Sequence, residues 1–365
     1  MAGIPIDQAP DAVKRMRSRF EKGVRETQGR RAHNVFRYVM KHAKDVTRNH
    51  KYEFSVRTAA APGTVSFMQA YDTVAYQLQE YVTQGSFKPV TIRTHTNMLF
   101  DMLVDAVTDG DPANRLWRDY ETKRSAGEET KRDQFESIFV EAPQSLTGSN
   151  AFMGLLTWFA RSMTSGGVFV DQPTPAKNGV YRRLGDGTIV SSIAGVDAAL
   201  ARNERMRSWV ATYDGKMGKP LLDTIHQMIY AMGYEYAEEY EGIKPNTSRL
   251  GVLWSDILNA QYLRYMDDIG APRSTDFMSS GGKTVQGVRP VGCSYLDGHN
   301  IAPIFLLFPE QVKLHKLEGY WGKPIYDKTI GPTQWGEFQI HIGQMVAEDP
   351  GTAGGLIHGR FNTGT

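Results

Sequence analysis

The sequence predicts an α+β fold. Three observations carry that expectation. One long helix, Asp111 to Gln144, stands among many short alternating runs. The 36 glycines and 17 prolines imply frequent turns and short strands. Helical and extended stretches alternate without the regular βαβ repeat of a parallel sheet.

The long helix is read from its ends. Asp111 suits an N-cap, and Pro112 fits the first helical position, where its missing N–H costs nothing. Pro143 stops it. The body, 112–142, is roughly 30 residues at ~1.5 Å each, a rod of about 45 Å. Leu116, Trp117 and Tyr120 gather at one end, and Phe135, Ile138 and Phe139 at the other. Glu121 to Gln134 is almost wholly polar. Such a rod is expected to lie across a sheet and to show much of its length to water or to neighbouring subunits.

Residues 1–10 read as an extended leader. Asp11 to Val46 is helical in pattern but weakly apolar, with a break at Gly29, and reads as an arm. Lys51–Thr58 alternates as a strand, Ala59–Gly63 is a flexible tip, and Thr64–Ala75 is a second extended run. Together they predict a projecting hairpin. Its apolar set, Tyr52, Phe54 and Val56 against Val65 and Phe67, has no evident partner layer in the chain and is expected to pack on a neighbouring subunit.

Tyr81 to His95 holds a further strand. Thr96–Thr108 reads as a short helix, with Met98, Leu99, Met102, Leu103 and Ala106 on one face. After the long helix, Ser145–Asn150 is a polar turn and Phe152–Ala160 is apolar and aromatic. Residues 164–190 are rich in Gly and Pro and read as irregular. Ser208–Thr212 is a short strand. Lys219–Tyr236 is the clearest amphipathic helix, with Pro220 at its start and Leu221, Ile225, Met228 and Met232 at helical spacing. Ser248–Leu253 is a strand, and Ser255 caps a helix over Asp256–Asp268. Strands at Gly287–Cys293, Pro303–Phe308, Val312–Leu317, Trp335–Met345 and Leu356–Phe361 complete the series.

Composition bounds the rest. With 365 residues, 41% of them hydrophobic, the chain has enough apolar side chains for one large core or two smaller ones. The single cysteine, Cys293, excludes an intrachain disulfide and reads as a small buried residue. No apolar run reaches the ~20 residues of a membrane span, and no signal peptide is recognised, so folding in a cytoplasm is expected. Net charge is +2, unevenly spread: residues 1–51 hold 13 Lys or Arg against 5 Asp or Glu. The basic head suggests an anionic partner, nucleic acid or a neighbour's acidic surface.

Catalytic templates fail. Ser280–Thr284 ends like a P-loop, but Phe277 stands where the first glycine belongs. There is no His-Glu-x-x-His and no Gly-x-Ser-x-Gly. Nine histidines are scattered, and no pair has ligand spacing with a third partner in reach by sequence. His341, between Ile340 and Ile342, is expected on the opposite side of a strand from them. No catalytic, cofactor-binding or metal-binding residue is assigned.

In this order, the parts resemble a bacteriophage major capsid protein of the HK97 fold. The resemblance covers roughly residues 30–361. It rests on the arm, the projecting hairpin and the long helix, which matches the family's spine. It rests also on Ile138–Pro143, Thr147–Asn150 and the aromatic run Leu155–Phe159, expected as a short strand, and on Gly287-Val288-Arg289-Pro290-Val291. It implies an arm (1–48), an E-loop with its following strand (49–95), and a P-domain containing the spine helix 112–142 (96–218). A P-domain helix and A-domain (219–300) and a return to the P-domain (301–365) would follow. Residues 164–214 match no standard element.

The resemblance further implies a structural protein, not an enzyme, that assembles as hexamers and pentamers into an icosahedral shell around double-stranded DNA. Portal, scaffolding or decoration proteins would be further partners, with no membrane and no cofactor. The location would be the virion capsid, assembled in the bacterial cytoplasm. Lys14, Arg15, Arg17 and Arg19 are expected near the packaged DNA. An encapsulin-like compartment shell is the alternative, and an α+β enzyme with scattered site residues a third reading.

Overall fold

The computed structural model describes residues 33–47, 52–57, 82–99, 112–146, 151–232, 250–268, 290–308, 311–331, 334–347 and 349–359. The described elements begin with helix α1 (Asn34–Lys41) and strands β1 (Lys44–Val46), β2 (Tyr52–Arg57), β3 (Val82–Phe87) and β4 (Val90–Leu99). The long helix α2 (Pro112–Val140), the expected spine, and the single turn α3 (Leu155–Trp158) follow. Then come β5 (Ala176–Gly179), β6 (Arg182–Arg183), β7 (Ile189–Val190), β8 (Ser192–Ile193), β9 (Val196–Asp197) and β10 (Ser208–Tyr213). The remainder is α4 (Lys219–Ala231), β11 (Gly251–Ser255), α5 (Asp256–Asp268), β12 (Pro290–Cys293), β13 (Ile304–Leu307), β14 (Val312–Gly331), β15 (Gln334–Ala347), α6 (Pro350–Ala353) and β16 (Gly354–Gly359).

A six-stranded mixed sheet runs β12-β11-β13-β16-β10-β5. Both of its faces are covered, which explains why its strands read as continuous apolar runs. Ile304 and Leu306 of β13 point to one side, with Val252, Trp254 and Ile357, against Leu221, Ile225 and Met228 of α4. Phe305 and Leu307 point to the other, with Leu253 and Leu356, toward Phe135 and Phe139 of the spine and Trp158 of α3. Leu258 N–H donates to Ser255 Oγ at 3.1 Å, so Ser255 caps α5 as its residue type suggests.

A second sheet runs β1-β14-β15-β4. Its centre is the long β14–β15 hairpin. Sequence alternation marked only Val312–Leu317 of this 20-residue strand, because the register shifts after Lys316 break the period of two. The spine crosses this sheet by its polar waist: Lys131 Nζ donates to Gln339 Oε1 of β15 at 2.9 Å, and Gln339 Nε2 donates to Glu128 at 3.2 Å.

Two expectations are corrected. Thr96–Leu99 are strand, not helix: pairing with β15 overrides the helical spacing of Met98 and Leu99. The rest of the expected helix lies outside the described residues. The aromatic run Leu155–Phe159 is a buried helical turn, not a strand. Four buried residues carry no period to tell the two apart. It also packs so closely on the spine that a Cβ at Gly154 would lie 2.2 Å from Glu141 O. In addition, β2 pairs with β3, Tyr52 opposite Phe87; the run expected after Ala59–Gly63 lies outside the described residues.

The Gly-rich stretch is built round one side chain. Arg182 is fully buried, and its guanidinium donates to four carbonyls. Nε reaches Thr157 O at 2.9 Å, Nη1 reaches Val180 O and Ser191 O, and Nη2 reaches Met206 O at 3.0 Å. Burial pulls its pKa down to about 10, still far above neutrality, so it stays charged. Replacing Arg182 by Leu strands those carbonyls away from water. A loss of about 3 kcal/mol or more in chemical denaturation is expected.

Candidate assembly interface

The β2–β3 pair is clamped from inside its own chain. Phe54 lies at 7% exposure, with its ring edge-on to Trp158 at 5.8 Å. Opposite it in the ladder, Gly85 supplies the room: a Cβ there would stand 2.4 Å from Phe54 Cζ. Ser86 N–H donates to Ala194 O at 2.8 Å, and Thr83 Oγ1 meets Asn203 Oδ1 at 3.1 Å. Ala194 and Gly195 both have positive φ, which makes the tight β8–β9 turn that presents this carbonyl. Residues 164–214, unplaced by sequence, thus hold the root of the loop.

The C-terminal turns of the spine form a second junction. Phe135 and Phe139 are buried, and the Phe36 ring of α1 lies 5.9 and 6.1 Å from theirs. His341 is the buried member of the Ile340–Ile342 run, edge-on to Phe135 at 4.9 Å and Trp321 at 5.1 Å. Burial, with Lys131 adding to it, lowers its pKa to about 4. His315 and His358 are likewise lowered to about 4, chiefly by burial. Trp158 Nε1–H donates to Met345 O at 3.1 Å, tying α3 to β15.

Two polar groupings decorate this junction. Tyr295 Oη donates to Glu141 Oε1 at 2.9 Å, and His299 Nε2 lies 2.8 Å from the same oxygen. Burial alone would raise the Glu141 pKa, but His299, Tyr295 and Arg161 outweigh it and hold it below 4.5. At the start of α1, no side chain of its own caps the helix. Instead Glu136 Oε1, from the spine, accepts from Val35 N–H at 3.0 Å and Phe36 N–H at 3.3 Å. His33 Nδ1 lies beside it, 3.8 Å from Glu136 Oε2 and 3.5 Å from Asp133 Oδ1. Sequence spacing missed this grouping: Asp133 and Glu136 share a helix face at i, i+3, but nothing local points to a histidine 100 residues away.

Of the residues expected to face a neighbour, Tyr52, Phe54 and Val56 lie in β2. Phe54 is a correction: its partner layer is intrachain, made by Trp158 and Gly85. Val65 and Phe67 lie outside the described residues, as do Lys14, Arg15, Arg17 and Arg19. Cys293 is buried, as expected, with its thiol pKa pushed well up by burial. No helix among the described residues is long and apolar enough to cross a membrane.

No protein-family profile and no curated protein sequence matches the chain. Solved structures do. The capsid asymmetric unit of cyanophage A-1(L) superposes with a TM-score of 0.60 at 14% identity, over 92% of this chain and 95% of that one. The chain has the HK97-like capsid fold. The capsid of a native GTA particle matches at 0.51 and 10% identity, over 93% of this chain and 96% of that one. The holo-SrpI encapsulin complex of Synechococcus elongatus PCC 7942 matches at 0.50 and 9% identity, over 93% and 94%.

Two measurements check the energetics. Phe54→Ala is expected to cost about 3–5 kcal/mol in the unassembled subunit, because the ring leaves an internal cavity. An effect confined to assembly, with subunit stability unchanged, would contradict the packing on Trp158. The second measurement is stability against pH. The unfolded chain protonates its histidines near 6.5, whereas His315, His341 and His358 in the fold resist until about 4. Between those values the unfolded state binds more protons, so stability falls as pH drops from 6.5 to 4. Glu141 has its folded pKa below 4.5, so its contribution is present above that value and is lost as pH falls further. His341→Phe is expected to flatten part of the upper slope.

Proposed function

We propose that this chain is a shell-forming structural protein, not an enzyme, that assembles as hexamers and pentamers into the icosahedral capsid of a tailed bacteriophage. The observation that carries the reading is the likeness to the cyanophage A-1(L) capsid over 92% of this chain and 95% of that one. A closed shell repeats modest contacts in near-equivalent geometry, so elements that reach beyond the core have a role. The E-loop beyond β2 and β3, with Tyr52, Val56, Val65 and Phe67, supplies contacts to a neighbouring subunit. The arm, residues 1–48, carries Lys14, Arg15, Arg17 and Arg19 to the interior face, where they meet double-stranded DNA without sequence preference. Portal, scaffolding and decoration proteins would be further partners. Assembly would take place in the host bacterial cytoplasm.

The encapsulin likeness favours a second reading, a shell around protein cargo. The two separate by content: nuclease-protected double-stranded DNA inside purified particles supports the capsid, and a co-purifying enzyme with no DNA supports the compartment. Negative-stain microscopy of the protein expressed alone is expected to show shells or capsomers. A monomer at every concentration and salt tried would overturn both. Replacing residues 58–81 by a short Gly-Ser link keeps β2, β3 and their clamp. The variant is expected to stay folded by circular dichroism and to make no closed shells. Intact shells from it would remove the E-loop from the assembly contacts.

A further inference from the structure

The grouping at the start of α1 has the form of a ligand set. His33 is 3% exposed, and its Nδ1 has no hydrogen-bond partner among the described residues. That nitrogen faces Asp133 Oδ1 at 3.5 Å and Glu136 Oε2 at 3.8 Å. Both distances are too long for an N–H···O hydrogen bond. They suit atoms that share an ion: two bonds of ~2.1 Å at a tetrahedral angle place their ends about 3.4 Å apart. All three ligand atoms lie within 4.8 Å of one another.

One of the two carboxylates is held from behind. Glu136 is 2% exposed, and its other oxygen, Oε1, is fixed by the Val35 and Phe36 N–H groups, which orients Oε2 toward His33. Such second contacts set the direction of a metal-binding carboxylate. Asp133 is 44% exposed, so the grouping opens to water on one side, where a fourth, solvent ligand fits. Burial lowers the His33 pKa against the opposing pull of Asp133, which favours the neutral imidazole that a metal needs.

We propose that His33 Nδ1, Asp133 and Glu136 Oε2 form a three-ligand site for a zinc-class divalent cation that ties the arm helix to the spine. An imidazole with two carboxylates selects zinc, cobalt or a similar transition ion over magnesium and calcium, which favour oxygen alone. The ion joins residues a hundred positions apart, at the point where the arm meets α2. The site does not depend on the capsid reading, since its ligands lie within one chain.

The test uses the untagged full-length protein as purified, stripped with chelator and titrated with Co²⁺. One Co²⁺ per chain with visible d–d absorption, displaced by Zn²⁺, is the expected result, together with a higher melting temperature in Zn²⁺. Asp133→Asn keeps the shape of a half-exposed side chain and is expected to weaken binding at least ~10-fold without changing the circular dichroism spectrum. His33→Gln is expected to abolish the d–d bands. No stoichiometric Co²⁺ binding would overturn the proposal. So would binding unchanged in both variants, which would place the ion elsewhere, or Mg²⁺ or Ca²⁺ competing as well as Zn²⁺.

Discussion

The last two turns of the spine helix hold the molecule together. Phe135, Phe139 and Val140 are buried there, in one cluster with α1, α3, the second sheet and one face of the six-stranded sheet. Helix α1 brings Phe36, and the long hairpin brings Trp321 and His341. Phe152, just before α3, packs on Phe139 at 5.7 Å, and the turn after β12 brings Tyr295 to Glu141. Aromatic rings suit such a meeting point because each covers a large area on several sides at once. The spine's waist makes polar contacts to β15 instead, so the helix is anchored by its end and steadied along its length.

Polar side chains at this junction replace contacts that local sequence does not provide. Glu136 caps a helix from which it is separated by about a hundred residues. Arg182 serves four carbonyls of a stretch with little regular structure of its own. Both are charges taken out of water and matched to several partners, the condition under which burial of a charge is tolerated. They fix loops that have few apolar side chains to fix them otherwise.

Much of this was legible in the sequence, and the failures have a common cause. The spine, α4, α5 and the strands of the doubly covered sheet were read from Pro112, Pro220, Ser255 and continuous apolar runs, because caps and burial on both faces leave a local record. Thr96–Leu99 and Leu155–Trp158 were misread because pairing with β15 and burial on all sides override local period. The clamp on Phe54 was invisible for a related reason: Gly85 and Trp158 become its partners only through β-pairing and the placement of α3. The histidine beside Asp133 and Glu136 was equally hidden, since helix spacing shows only the two carboxylates.

The place of β16 in the six-stranded sheet has a consequence for how the fold forms. It lies between β13 and β10, parallel to β10 with Trp209 opposite Gly355, and antiparallel to β13 with Phe305 opposite Leu356. Until residues 354–359 emerge from the ribosome, the two halves of the sheet have no common neighbour and each exposes an open edge. Closure therefore waits on a pairing of very long sequence separation, the slow kind. A nascent chain would thus keep both edges open until residues 354–359 are made, so the order of synthesis sets when this sheet can close.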